Sequence, residues 1–223
     1  FSDTGYFQRR PFLAYAEEAA TRGSQVVVDN RQDGINQTQP HEGQSILSLS
    51  PNADWLAYIS PETPGETEFI GPLRLMNSAT GEIRLLSRNP VATFFWSPDG
   101  RYLAALLPIL PVGGDINAAI SHKATTAKTT IQGSLPQLDL VLFEAASGEG
   151  RRLLTFTPTL TFLSQLMPFF DQYALSHRIW SPNNDALVLP MLEDGRSYIY
   201  IVPIHGGDKR FLAEGSMAAW SQQ

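Results

Sequence analysis

Trp96-Ser97-Pro98-Asp99-Gly100-Arg101-Tyr102-Leu103-Ala104 decides the fold, because the chain repeats it. Ser50-Pro51-Asn52-Ala53-Asp54-Trp55-Leu56-Ala57 is an earlier copy, and Trp180-Ser181-Pro182-Asn183-Asn184-Asp185-Ala186-Leu187-Val188 is a later one. Ala219-Trp220-Ser221 begins a fourth. A unit recurring every ~40 to 50 residues marks a repeat architecture, in which each copy is one small structural module stacked on its neighbours.

The chemistry of the motif is that of a turn. Proline presets φ at the first turn position, Asp or Asn follows, and Gly or Asn occupies the left-handed position. Gly100 and Asn184 suit that position, whereas Ala53 stands at it in the first copy and makes that turn less favourable. Apolar strands are expected before the turn, at 45–49, 91–96, 177–180 and 217–220, and after it, at 55–59, 102–107 and 186–189. A second hairpin follows in each unit: 73–77 to Gly81 and 83–86, 140–144 to Gly148 and 152–154, 199–203 to Gly206-Gly207 and 210–212. Phe12-Leu13-Ala14-Tyr15 and Val26-Val27-Val28-Asp29, leading to Asp33-Gly34, supply the same half-unit near the start of the chain.

Four short antiparallel strands per repeated unit predict an all-β chain of β-propeller blades. The W-S-P-D-G-x-x-L-A unit resembles the TolB-like (PD40, WD40-like) propeller repeat. It is also similar to the repeat of the propeller part of prolyl-oligopeptidase-type peptidases. The resemblance covers nearly the whole chain and implies a fold rather than an activity, because the Ser-Pro-Asp-Gly residues build a turn. Trp96, Ser97, Pro98, Asp99, Gly100, Trp180, Ser181, Pro182 and Trp220 are therefore read as structural repeat residues, with the tryptophans in the core. One propeller domain is expected over 1–223. Its blades fall at about 1–44 completed by 216–223, 45–90, 91–174 and 175–215. The first blade has no evident opening strand, so the C-terminal strand either closes a four-bladed ring or belongs to a piece of a larger propeller. The Ser97-to-Ser181 interval is nearly twice the others, which points to insertions within one unit rather than to a hidden blade.

Blade topology makes those insertions informative. In an up-and-down blade the first-to-second and third-to-fourth turns share one end of the sheet, and the remaining connections share the other. The repeat turns are short; the connections at 61–71, 108–137 and 155–176 are long and are expected on the opposite face. Long loops on a rigid scaffold commonly carry binding. Residues 108–137 hold His122, Lys123 and Lys128, and read as either a partner-binding loop or a solvated one. In 155–176, Leu163, Leu166, Met167 and Phe170 follow helical spacing, with Pro168 interrupting, which predicts a short helical cap packed on the blades or offered to a partner. Asp171, Tyr173 and His177 form the densest ionisable cluster after it and are the candidate ligand site; the alternative is that they tie the loop to a strand.

Composition removes several classes of function. Apolar residues make up 43% of the 223-residue chain and charged residues 17%, a globular balance. A net charge of −6 speaks against a nucleic-acid partner, which needs a basic face. The absence of cysteine excludes disulfides and thiol chemistry. No apolar run reaches the ~18 residues of a membrane span. His41, His122, His177 and His205 have no metal-ligand spacing, no G-x-S-x-G nucleophile elbow occurs, and no phosphate loop follows Gly113-Gly114, so neither a metal nor another cofactor is expected. The chain opens at Phe1 rather than Met and 1–10 has no signal-peptide pattern, which suggests a processed or trimmed start.

The expected function is a non-catalytic binding or assembly module that holds a protein or peptide on its long-loop face. Two alternatives stand beside it: the substrate-filtering propeller part of a larger serine hydrolase or peptidase, and a propeller enzyme with a site at the channel mouth built from Asp171, Tyr173 and His177. The TolB-like resemblance implies a bacterial, extracytoplasmic setting, periplasmic or extracellular.

Overall fold

The serine of each repeat organises its turn through both its backbone and its hydroxyl. Ser97 N donates to Tyr102 O at 2.9 Å and Gly100 N donates back to Ser97 O at 2.9 Å. The hydroxyl accepts from Tyr102 N at 2.9 Å and donates to Asp99 Oδ1 at 2.6 Å, while Arg101 N reaches the same carboxylate oxygen at 3.0 Å. Ser50 repeats this, accepting from Trp55 N at 3.0 Å and donating to Asn52 Oδ1 at 2.6 Å. Ser181 accepts from Ala186 N at 3.1 Å and donates to Asp185 Oδ1 at 2.6 Å. All three serines are buried, so their hydroxyls satisfy strand amides that water cannot reach. Ala53, Gly100 and Asn184 have φ of 61°, 73° and 61°, the left-handed position expected of each. Ala53 bears the strain there that a glycine avoids.

The computed structural model describes residues 7–9, 12–19, 23–30, 34–40, 45–60, 70–109, 135–170 and 178–221. The strands run in chain order as β1 (Phe7–Arg9), β2 (Phe12–Ala19), β3 (Gly23–Asn30), β4 (Ile35–Pro40), β5 (Ile46–Leu49), β6 (Trp55–Ile59), β7 (Gly71–Asn77), β8 (Ile83–Val91), β9 (Thr93–Trp96), β10 (Tyr102–Pro108), β11 (Leu138–Glu144), β12 (Gly150–Phe156), β13 (Ala186–Glu193), β14 (Arg196–Pro203) and β15 (Arg210–Glu214). They form four sheets in meander order: β1-β2-β3-β4, β5-β6-β7-β8, β9-β10-β11-β12 and β13-β14-β15. Each sheet is one blade, as the repeat predicts.

By packing, the chain divides into two compact units, residues 1–105 with 142–151 and residues 106–141 with 152–223. In the first unit, Ala14, Val26 and Val28 of the first sheet close on Leu47, Leu49, Leu56, Tyr58 and Met76 of the second in one buried cluster. The strands alternate as required: Leu56 and Tyr58 face the first sheet, whereas Trp55 and Ala57 lie on the other side. Outer strands also grip the following blade. Gln37 Nε2 on β4 donates to Ala79 O at 3.1 Å, and Arg84 Nη1 on β8 donates to Ala145 O at 3.2 Å and Ala146 O at 2.5 Å. Each reaches a third-to-fourth turn, and Gly81 and Gly148 leave room there that a Cβ would fill. Trp96 Nε1 adds an inner tie to Ser48 O at 3.1 Å.

Three features differ from the sequence reading. The first sheet has its own opening strand, since β1 pairs with β2 through Phe7↔Ala14, Gln8↔Leu13 and Arg9↔Phe12. Residues 217–220 form no strand; instead Trp220 N donates to Arg178 O at 2.8 Å, so the tail lies along the fourth blade. The C-terminal segment is thus not needed to complete the first sheet.

The third difference concerns the fourth sheet, whose opening strand was expected at 177–180. It is split instead. Trp180 bridges Leu187 and Pro158 bridges Met191. Leu192 N donates to Thr157 O at 2.7 Å, and Val188 N to Ile179 O at 2.8 Å. Successive positions along β13 are therefore covered first by 179–180 and then by 157–159. The long insertion interrupts the innermost strand of the fourth blade; it does not connect two blades.

Candidate functional site

The long connections are the first place to look. Asp171, Tyr173, His177, His122, Lys123 and Lys128 lie outside the described residues, as does most of 61–71. The stem of the 108–137 connection is described: Ile109 N donates to Gln137 O at 2.9 Å, extending the β10–β11 hairpin one step past the strands. The first and fourth sheets turn between their second and third strands in a few residues; the second and third sheets do not.

The insertion in the inner strand is anchored by one side chain. Thr159 is buried, and its hydroxyl donates to Ser216 O at 2.7 Å and accepts from Phe162 N at 3.3 Å. Leu163 N donates to Thr159 O at 3.1 Å. From this anchor the chain makes a π-helical turn, Phe162–Leu166, and a 3-10 turn, Met167–Phe169. Leu163, Leu166, Met167 and Phe170, the residues at helical spacing, are all buried, with Phe162 beside them. Their face is core, while Leu160 and Phe169 remain exposed. Pro168 sits at the start of the 3-10 turn, where its missing N–H leaves no bond unmade.

A second cluster, which the repeat pattern did not signal, lies on the fourth sheet. Asp194 and Gly195 have φ of 49° and 75°, a two-residue turn of the mirror-image type that joins β13 to β14. The turn sets Glu193, Tyr198 and Tyr200 on one side of the sheet, and the β14–β15 register sets Phe211 opposite Tyr200. Tyr198 meets Tyr200 and Phe211 edge-on at 6.5 and 5.9 Å between ring centres, and Tyr200 meets Phe211 at 6.1 Å. The Tyr200 phenol donates to Glu193 Oε2 at 2.5 Å, Lys209 pairs with Glu193 Oε1, and the Lys209 ammonium sits 4.2 Å from the Tyr200 ring centre.

This electrostatics defines what the cluster can do. The hydrogen bond to Glu193 pushes the Tyr200 phenol up to about 12. The Lys209 and Tyr200 hydrogen bonds hold the Glu193 carboxyl below its usual range. Tyr200 therefore stays a neutral donor and Glu193 a charged acceptor across neutral pH, and neither is poised for proton transfer. The arrangement is a fixed aromatic surface with a neutralised ion pair at its rim. The alternating tyrosines, i and i+2 on one strand, were the available sequence signal.

No family model and no curated protein sequence matches the chain. Solved structures do match in fold. The acylaminoacyl peptidase of Pyrococcus horikoshii aligns with a TM-score of 0.54 at 16% identity over 94% of this chain and 32% of that one. The β-propeller domain of the Trilobed protease from Pyrococcus furiosus aligns with a TM-score of 0.54 at 14% identity, over 95% of this chain and 57% of that one. TolB from Acinetobacter baumannii aligns with a TM-score of 0.45 at 15% identity over 92% of this chain and 42% of that one. The chain spans about a third of the length of the acylaminoacyl peptidase it matches. At such identities the likeness is one of fold: the sheets are propeller blades, of the kind the Ser-Pro-Asp-Gly repeat resembles.

Proposed function

We propose that this propeller module is a non-catalytic binding or assembly unit, and that it holds a protein or peptide through its long connections. The observation that carries this is where the chain spends its length. The repeat turns at Ser50, Ser97 and Ser181 are tight and internally bonded, and only a few residues separate β2 from β3 and β13 from β14. The length is concentrated at 61–69, at 110–134 beyond the Ile109–Gln137 stem, and at 160–177 in the middle of an inner strand. Loops projecting from paired strands on a buried scaffold are suited to recognition, because the scaffold fixes their ends while their sequence is free of packing duty. His122, Lys123 and Lys128 in one connection, and Asp171, Tyr173 and His177 in another, are the side chains assigned to contact the partner.

A second reading is that the chain is the propeller part of a larger serine hydrolase or peptidase, where it would screen substrate. Its support is the fold likeness to an acylaminoacyl peptidase three times as long. No nucleophile elbow lies in this chain, so on either reading bond cleavage is not assigned to it.

Selection of peptides on the immobilised chain from a displayed library tests the proposal. Ligands enriched on the intact chain should lose at least tenfold in affinity when 112–134 is replaced by a short Gly-Ser link, with the unfolding midpoint kept. Unchanged affinity removes that loop from the site, and hydrolysis of peptides or esters by the chain alone overturns the non-catalytic reading.

A further inference from the structure

The aromatic cluster of the fourth sheet shares no residue with the long connections. Phe211 is 55% exposed, and Tyr198 and Tyr200 are half-buried. On β13, Leu187, Leu189 and Met191 lie on the same side of the sheet as the rings, because they pair across from Val202, Tyr200 and Tyr198. All three are buried, as is Val202. The rings therefore extend a face that is already packed along β13. Their mutual edge-on contacts hold them in place, so a ligand meeting them would order little that is loose.

Hydrogen-bonding capacity and charge narrow what such a surface can hold. Glu193, the carboxylate of the cluster, has both oxygens engaged, one by Lys209 and one by the Tyr200 phenol. Donors remain. No hydrogen bond engages the Tyr198 hydroxyl among the described residues. The Lys209 ammonium meets Glu193 Oε1 and, at 3.8 Å, Met191 Sδ, and has a third N–H to give. Residues 193–214 carry four carboxylates and three cations, so the sequence around the rings favours neither an acidic nor a basic partner. The complementary ligand is uncharged, apolar enough to cover aromatic rings, rich in acceptors and poor in donors. A polyproline II segment has that description. Its carbonyls are turned outward and unbonded, and each proline lacks the N–H that would need an acceptor. Aromatic side chains are the usual floor for such segments. A sugar or an ordinary extended peptide brings hydroxyl or amide donors, for which the cluster has no uncommitted carboxylate.

We propose that Tyr198, Tyr200 and Phe211 form a docking platform for an uncharged proline-rich segment of a partner protein. The rings pack against the proline rings, and the Tyr198 hydroxyl and Lys209 ammonium donate to its carbonyls.

The probe is dye-labelled decaproline titrated with the full chain by fluorescence anisotropy, beside a Gly-Ser peptide of equal length and unlabelled maltohexaose as competitor. Saturable binding of decaproline and none of the Gly-Ser peptide is expected. Phe211→Ala should weaken it at least tenfold. That side chain is exposed, so the unfolding midpoint should hold. Tyr198→Phe keeps the ring, removes the donor and should weaken binding severalfold. Replacing 112–134 by the Gly-Ser link should leave it unchanged, which separates this platform from the long connections. Absence of saturable binding up to millimolar decaproline, or binding indifferent to Phe211→Ala, overturns the proposal. Displacement of decaproline by an equal concentration of maltohexaose would assign the platform to a sugar and overturn it as well.

Discussion

At the residue scale, a buried serine explains why the repeat reads as it does. Its hydroxyl has one donor and two acceptor sites, and the turn uses the donor on Asp or Asn and an acceptor on the amide of the following strand. Ser97→Ala should leave the Tyr102 amide and the Asp99 carboxylate without that partner and cost about 1–3 kcal/mol, read from chemical denaturation. Asp99→Ala should cost less, because Asp99 is only half-buried and the amide of Tyr102 keeps its bond to the serine hydroxyl. Tyr200 offers a second test. Its folded phenol is pushed up to about 12 from the ordinary 10.0, so its stabilising bond is whole below pH 10 and lost as pH rises through about 12. Glu193 has the opposite sign: lowered from 4.5, its contribution is present above that value and lost as pH falls below it. Alkaline titration of tyrosinate absorbance should show two late phenols, Tyr58 raised by burial and Tyr200 by its bond to Glu193, the second absent in Tyr200→Phe; a normal titration for every exposed tyrosine would contradict the Glu193 bond.

At the element scale, the strands were legible where the turn chemistry was strong and obscure where pairing is discontinuous. Tyr102, Leu103 and Ala104 follow an ideal turn, and β10 begins at Tyr102 as expected. The Asp194-Gly195 hairpin was an available signal that the repeat overshadowed. The inner strand of the fourth sheet could not be read, because 157–159 and 179–180 are distant in sequence and meet only on β13. Thr159 marks the break. Thr159→Val keeps its shape but removes the bonds to Ser216 and Phe162, and should lower stability by about 1–3 kcal/mol. Limited proteolysis should then cut sooner near 216–220, whereas unchanged proteolysis would mean that Thr159 does not hold the tail. Arg84→Met should cost about 1 kcal/mol, since its bonds to Ala145 and Ala146 are partly open to water. Leu56→Ala, in the fully buried core, should cost about 2–5 kcal/mol.

At the scale of the whole molecule, repetition made the fold legible and the function hard to read, for the same reason. A residue kept in every copy serves the copy: Ser50, Ser97 and Ser181 build turns, and Trp96 ties one blade to another. On the proposed reading, recognition belongs to what is not repeated, and there composition gives no periodicity to follow. Amide hydrogen exchange with a selected peptide bound separates the two most directly. The account predicts new protection within 61–69, 110–134 and 160–177, and none at the turns 51–54, 98–101 and 182–185. Protection concentrated at those turns, with the long connections unchanged, would contradict it.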